Sequence, residues 1–541
     1  MGKILDAFLS LGKSTNKVKN SDQEIQQGVF ELEEEMRLDM PDDELIDLAE
    51  TWEKKWNDYY PVLKKIEEKN ENYWRGKHFA NQDDENAVVD NLIFESLETF
   101  LPIATKQNPE PVVTADNTDE GEALASKVSK MLIYQADTNR LKLRLKKVVR
   151  FWAMYRRGVM KMAWSMKKND IKPIVLRPQR LILDPDGIID DDMTYDGEYI
   201  GENKKEKASD LIARFPQKEA YIKEYVKEKL GTRVPYQEWH TDEYSFWKLG
   251  NEILGKMKNP NWNWPEEKTE TDEFGGESVI KIPGRNHFNT PQKPYIFLSI
   301  FNLGKHPHDD TSLIEQNIAN QDIINKRNRQ IDDNVDDMNG GWVISGDSGL
   351  TAAQASEAVQ AVREGGAIYI PTGNSETVVS KKVGSGLPSD VYNQLIDVRN
   401  ELRNIFGTRG STPQGTSSEP TVRGKMIVRE QDSSRIGGGV SEYLEQFADQ
   451  VFNWMVQMMY VHYDEKHIGS IIGKDSATEF VELINSELDR KLMVSVKEGS
   501  MIPKDSLTKA NQATDLSSAG LMDPITLYDK LDYPNPYETA E

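Results

Sequence analysis

The sequence predicts a mixed α+β fold that is predominantly helical. Three patterns carry that prediction. Several long segments repeat apolar residues at steps of three and four, the period of one helix face. A stretch after Gly158 alternates with period two, as half-buried strands do. Two of the long helical segments flank a short module with strand character, so helices and strands are interleaved along the chain.

From Ser21 to Glu50 the chain is almost purely acidic, with Arg37 the one base. Ile25, Val29, Leu32 and Met36 recur at helical spacing, which makes an amphipathic helix or a solvated acidic face. Helical character continues from Leu45 to Trp74, with Leu48, Trp52, Tyr59, Leu63 and Ile66 expected on the buried side. Asn91–Val113 reads as a helix ending near Asn108, because Pro109 and Pro111 force extended geometry on the residues before them. A further helix starts near Glu122 and is expected to run on into the most basic part of the chain. Between Asn139 and Lys168 there is no acid at all, and Leu141, Leu145, Val148, Trp152 and Tyr155 form one apolar stripe. Gly158 is expected to break that helix. A hairpin follows, with Met160, Met162, Trp164 and Met166 on one face and IKPIVLRPQRLILDP as partner strand. Glu198–Asn289 holds Trp239, Trp247, Trp262 and Trp264 among prolines, and reads only as irregular α+β.

Ser312-Leu-Ile-Glu315 has the spacing of a capping box, so a helix is expected from Ser312 to Met338, roughly 40 Å at about 1.5 Å per residue. Asn317, Gln321, Ile324, Asn328, Ile331, Val335 and Met338 form a stripe that is polar first and apolar later. Amide side chains in such a stripe fit a helix standing beside equivalent helices, bonded across a wet seam. Gly340-Gly341 ends the helix. Next come strand GWVIS, a short helix over Thr351–Arg363, strand AIYIP and strand TVVSKKV, which ends in Lys381 and Lys382. A second long helix begins at Pro388-Ser389 with the stripe Val391, Leu395, Val398, Leu402 and Ile405, and Gly407 is placed as its left-handed cap. TRGSTPQGTSSEP is too poor in apolar residues to offset its ordering entropy and reads as a loop. A long helix follows, with a kink expected at Gly437-Gly438-Gly439.

Composition limits the chemistry. The 541 residues carry 67 Lys+Arg against 90 Asp+Glu, a formal charge of −23. That balance argues against a protein that coats nucleic acid, which needs net phosphate neutralisation. It is compatible with a protein that encloses DNA without gripping it. With no cysteine there is no disulfide, thiolate ligand or thiol nucleophile. No apolar run of roughly 18 residues indicates a membrane helix. Asp6 interrupts the short apolar start, so a signal peptide is not expected. The Asp-rich turn Asp184-Pro-Asp186-Gly187 with Asp190, Asp191 and Asp192 lacks the closing Glu of a calcium loop, and Pro185 breaks its pattern. His306-Pro-His308-Asp309-Asp310 has ligand-type residues without ligand spacing. No metal and no cofactor is expected. GxxxxGK[ST], HExxH and GxSxG motifs are lacking, so no enzyme is read. The competing reading is a metal-dependent nuclease or hydrolase using the turn at 184–192.

Four stretches give a resemblance. They are QNPEP at Gln107–Pro111, VVRFWAMYRRGVMKMAWS at Val148–Ser165 with its strand ending LILDP, SLIEQNIANQDIINKRNRQIDDN at Ser312–Asn334, and VKEGSMIPKDSLTKANQATDLSSAGLMDPITLYDKLDYPNP. In this order, with the helix–module–helix arrangement, the chain resembles the portal proteins of tailed double-stranded DNA bacteriophages.

The resemblance implies a wing, stem, clip and short crown architecture in a ring, a dodecamer in the family. It implies an acidic N-terminal helical arm over 1–85, a wing over 86–300, a first stem helix over 301–338 and a clip over 339–385. A second stem helix over 386–406, a tunnel loop over 407–420, a long kinked wing helix over 421–465 and a C-terminal wing or crown over 466–541 complete it. Asn317, Gln321, Asn328, Leu395, Val398 and Leu402 would pack the stem. Asp332, Asp333, Asp336 and Asp337 are candidates to face the DNA channel, with an acidic solvent face as the competing role. Arg409, Arg423 and Lys425 are expected near passing phosphates, with structural ion pairing as the competing role. Lys381 and Lys382 would sit in the clip, in a solvated turn or against DNA or a partner's acids. The implied partners are further copies of the chain, double-stranded DNA, the terminase large subunit, the major capsid protein, scaffold, and a head-completion adaptor or tail proteins. The implied place is the portal vertex of a virion, with no membrane.

Overall fold

A computed structural model of the chain describes residues 37–79, 89–165, 168–261, 266–271, 277–282, 287–288, 290–339, 341–344, 349–363, 379–382, 384–409, 437–463, 466–472, 478–484 and 492–497, with single positions beyond 484. The expected helix over Ile25–Met36, strand AIYIP, most of the loop after Gly407, the start of the long helix at 421–436 and most of the crown lie outside them.

Helix α1, Asp42–Trp74, opens with Asp42, Asp43 and Glu44. Their charge suits the positive end of the helix dipole. It buries Leu45, Ala49, Trp52, Trp56 and Leu63. Helix α2, Leu92–Ala104, stops four residues earlier than expected and keeps Pro102 in its last turn. Strand β1 is Pro111–Thr114. Helix α3, Asp119–Thr138, is capped by the Thr118 hydroxyl, which accepts from the Gly121 N–H.

The expected continuous helix into the basic stretch is broken. Arg140 takes φ 51, and a separate helix α4 spans Leu141–Tyr155. The whole stripe from Leu141 to Tyr155 is buried as expected. Helix α4 ends because Arg156 takes φ 68, not because of Gly158. Gly158 is needed for packing instead: a Cβ there would stand 2.4 Å from the Val148 carbonyl oxygen.

Strands β2 (Gly158–Ser165) and β3 (Asp170–Leu176) form the expected hairpin, register Val159↔Leu176 to Ser165↔Asp170. Strands β4 (Leu181–Leu183) and β5 (Tyr199–Lys207) then begin a five-stranded antiparallel sheet. After short helices α5 (Ala208–Arg214) and α6 (Glu219–Tyr225), the sheet continues with β6 (Arg233–Thr241), β7 (Tyr244–Leu249) and β8 (Glu252–Lys258). The region read as irregular is therefore a regular sheet in the order β4-β5-β6-β7-β8. Strands β9 (Glu266–Thr271) and β10 (Glu277–Ile282) pair as a ribbon, and β11 (Tyr295–Leu298) adds to β2.

Helix α7 is Ile318–Asn339. Between Ser312 and its first residue stand a turn and a 3-10 segment, Glu315–Asn317. Strand β12 (Gly341–Ile344), helix α8 (Ala352–Arg363), strand β13 (Val379–Lys382) and helix α9 (Ser389–Phe406) follow. A π-helical turn at Gly437–Ser441 marks the expected irregularity before helix α10, Glu442–His462. Strands β14 (His467–Ile472) and β15 (Thr478–Leu483) pair as a hairpin, and β16 (Met493–Val496) returns to β1.

The chain divides into two compact units. The first comprises Met1–Lys69, Phe100–Leu313 and Ser433–Glu541, and the second Asn70–Thr99 and Ile314–Asp432. In the first, Trp52 stacks on Tyr199 at 4.6 Å, and Trp239 and Phe246 complete an aromatic centre between α1 and the five-stranded sheet. A buried ionic network joins the three-stranded sheet β11-β2-β3 to the five-stranded sheet. The Lys161 ammonium lies 2.9 Å from Glu202 and 2.8 Å from Glu238, and Lys204 also pairs with Glu238. His240 bonds Glu238 Oε1 through Nε2 at 2.9 Å. Among the described residues no helix is long and apolar enough to cross a membrane.

Candidate functional site

The second unit is organised around α7 and α9, which run antiparallel. Arg327 bonds Gln394 at 2.6 Å and Asn334 bonds the Ser385 carbonyl at 2.8 Å, so the far end of one helix meets the near end of the other. Strands β12 and β13 close that end as an antiparallel pair, Gly341↔Lys382 to Ile344↔Val379. The seam between the helices is apolar, as the stripe on α9 anticipated: Ile324, Leu395, Val398, Leu402 and Phe406 are buried.

The amides do something other than what the sequence implied. Asn317 and Gln321 are fully buried inside the chain rather than presented at a wet seam. Gln321 Oε1 accepts the Leu92 and Ile93 N–H groups at 3.1 and 3.2 Å. Its Nε2 donates to the Asp90 carbonyl at 2.6 Å and to Asn325 at 3.0 Å. One side chain thus satisfies both kinds of backbone group at the start of α2, where donors would otherwise be orphaned. Asn325 donates in turn to His78 Nδ1 at 2.8 Å, and His78 Nε2 meets the Tyr73 carbonyl at 2.9 Å. Those partners require a neutral ring with its proton on Nε2, and burial pushes the His78 pKa down accordingly. Asn328 is half-buried. The apolar half of the stripe is the half left uncovered: Val335 and Met338 are 52% and 44% exposed, and Tyr392 and Ile396 on α9 are exposed as well.

Two cations that the sequence reading missed tie α9 to the start of α2. Arg403, itself buried, pairs with Glu95 at 3.0 Å, and Arg399 pairs with Asp90. The available signal was their spacing, i and i+4 on one face of α9.

Asp332, Asp333 and Asp336 are exposed on the last turns of α7 and have no ion pair among the described residues; the Asp337 side chain lies outside them. Acids at a helix C-terminus oppose the helix dipole, and α7 has no base in its last turn. The Lys381 and Lys382 backbones lie in β13, with their side chains outside the described residues. Arg423 and Lys425 lie outside them too. Arg409 is described and is half-buried. Its neighbour Thr408 is fully buried, donating its N–H to the Arg403 carbonyl at 2.9 Å, and Gly407 takes φ 69. Residues 407–409 are therefore part of the α9 cap, which moves the loop's expected start to beyond Arg409.

The Asp-rich turn is built for structure. Asp184 is buried, pairs with Lys55 at 2.8 Å, and accepts the Asp186 and Glu198 N–H groups. The Tyr59 hydroxyl lies 2.9 Å from His306 Nδ1 and 3.3 Å from His308 Nδ1. Burial, with Arg157 nearby, holds His308 well below its ordinary pKa. Among the described residues no three His, Cys, Asp or Glu side chains are grouped to hold a metal ion.

No protein-family model matches the chain. No curated protein matches it either. Among solved structures, the chain is similar to one described as "Virion of native gene transfer agent (GTA) particle", over 86% of this chain and 94% of that one, with 9% identity and a TM-score of 0.37.

Proposed function

We propose that this chain is a portal protein of the tailed-bacteriophage type: a non-enzymatic ring subunit whose assembled channel passes double-stranded DNA. The observation that carries the reading is the antiparallel pair α7 and α9, tied off by the β12–β13 pair and left with apolar side chains uncovered. A helix pair in a single folded unit turns such residues inward; Val335, Met338, Tyr392 and Ile396 are turned out. Neighbouring copies standing beside the pair would cover them. The pair would then be the stem of the ring, and the β12–β13 end its clip, where a packaging terminase and later an adaptor would dock.

The charge supports the same reading. A channel for duplex DNA has to bind weakly everywhere, since duplex DNA carries one charge per about 1.7 Å and each firm cation contact is a salt-sensitive trap. Asp332, Asp333 and Asp336 have no ion pair among the described residues and lie at an end of α7 where the dipole disfavours acids. A lumen that repels phosphate gives that arrangement a use. The reading of a nuclease at 184–192 is less well supported, because both Asp184 oxygens are already engaged by Lys55 and by backbone donors.

The charge reversal Asp332→Lys, Asp333→Lys and Asp336→Lys in one chain tests this. Rings are expected to assemble, because the three side chains are exposed. They are expected to retain duplex DNA at least about tenfold more tightly at low salt, with a steeper dependence on salt concentration. Retention equal to the wild type, measured by filter binding across a salt series, would mean that these acids do not face DNA.

A further inference from the structure

In a chain of net charge −23, helix α4 presents a bare basic face. Arg140, Lys142 and Lys147 are exposed and Lys146 is half-buried. None of the four has an ion pair among the described residues; Lys142 donates to the Lys106 carbonyl at 2.6 Å. Leu143 stands among them, 61% exposed. The opposite face of α4 is wholly buried, so this orientation is fixed by packing.

The complement of this face lies elsewhere on the same unit. Residues 188–196 fold back as a tight turn: Ile189 bridges Tyr195, Asp190 N–H bonds the Thr194 carbonyl, and Asp196 accepts the Ile188 N–H at 2.6 Å. Its tip exposes Asp190, Asp191 and Asp192, with Asp196 at the base. These acids have no ion pair among the described residues. Burial, then repulsion from Asp196, Asp192 and Asp191, raises the Asp190 pKa. Asp192 similarly raises that of Asp449, after burial. The turn is a cluster of mutually repelling carboxylates, and the basic face is a cluster of cations with no ion pair among the described residues. Among the described residues no ion pair joins the two.

We infer that the basic face of α4 receives the Asp190–Asp192 turn of a second copy of this chain. Copies that each carry −23 repel one another, so they associate where local charge is complementary. A patch on one side of a subunit that fits a different patch on the next makes a heterologous contact, the kind that closes into rings. The inference rests on the ring reading above and adds to it a charged clasp with named residues. The exposed Leu143 favours a protein occupant over a nucleic-acid backbone, which offers no apolar surface at its phosphates.

The test uses the full chain, its assembly followed by sedimentation over a range of protein concentrations. Lys146→Glu with Lys147→Glu, and separately Asp191→Lys with Asp192→Lys, are each expected to raise the concentration for half-assembly by roughly tenfold. All four substitutions in one chain are expected to restore most of the loss. The neutral pair Lys146→Gln with Lys147→Gln should fall between, with unchanged circular dichroism. The clasp is overturned if either reversed pair assembles like the wild type, or if the fourfold variant is not restored. It is also overturned if the lysine reversal spares assembly and abolishes binding of a short DNA duplex. In those three outcomes wild-type rings would leave the ring reading standing, whereas a wild type that never assembles would remove both.

Discussion

Replacing Lys161 by methionine is expected to destabilise the first unit by about 3–5 kcal/mol, the cost of leaving buried charge without its partner. The Lys161 ammonium is 4% exposed and sits between Glu202 and Glu238, themselves buried, while packing 4.9 Å from the Tyr295 ring centre. Tyr295 donates to Glu202 at 3.3 Å. Burial lowers the Lys161 pKa, but the two carboxylates outweigh it and hold the pKa up. Burial likewise works to raise Glu238, and Lys161, Lys204 and His240 outweigh it and keep that carboxylate ionised. A depressed carboxylate pKa contributes stability that is present above its unfolded value and is lost as pH falls through its folded one. Without Lys161, the two carboxylates share Lys204 as their paired cation among the described residues. Hydrogen exchange across β2, β5 and β6 should accelerate accordingly. Adding Glu202→Gln and Glu238→Gln to Lys161→Met should recover much of the loss, since apolar or neutral replacements of a whole buried network are tolerated. Exchange within about 1 kcal/mol of the wild type would show that the network contributes little.

The second large effect is expected at Asp310. Its carboxylate is buried and accepts five hydrogen bonds: through Oδ2 from Trp152 Nε1, the Ser299 hydroxyl and the Ile300 N–H, and through Oδ1 from the Phe301 and Thr311 N–H groups. That one side chain organises the segment leading from β11 towards α7. Asp310→Ala leaves three buried donors with no acceptor and is expected to cost about 3–5 kcal/mol, at roughly 1–3 kcal/mol per unsatisfied group. Asp310→Asn should be nearly as damaging, because its amide would point N–H groups at N–H groups. The measurement is protection of residues 299–311 in hydrogen exchange, which should fall in both variants. Unchanged protection would mean that the segment is held by its apolar contacts alone.

Much of this fold was legible in the chain because its signals are local. The α4 stripe, the β2–β3 alternation, the α9 stripe and its Gly407 cap depend on side-chain period and backbone preference within a few residues. What was illegible depended on partners distant in sequence. Strand β5, YIGENKKEK, falls in the region that reads only as irregular α+β; its buried Glu202 makes sense only beside Lys161, 41 residues away. The break at Arg140 was hidden because a non-glycine residue in the left-handed region leaves no compositional mark. Gln321 was correctly singled out as unusual, yet its partners are backbone groups at 90–93, more than 200 residues earlier. An amide that caps another helix and an amide that bonds across subunits have the same sequence signature. Arg399 and Arg403 escaped for the same reason, since their acids, Asp90 and Glu95, lie just before α2 and in its first turn, some 300 residues earlier.

The most direct measurement of the central claim is electron microscopy of the purified full-length chain, carried to a resolution that traces helices. The account predicts closed rings around a central hole wide enough for duplex DNA, with α7 and α9 of successive copies forming its wall and Val335, Met338, Tyr392 and Ile396 covered by neighbours. Particles that stay monomeric at high protein concentration, or rings whose contacts leave those four side chains in solvent, would contradict it.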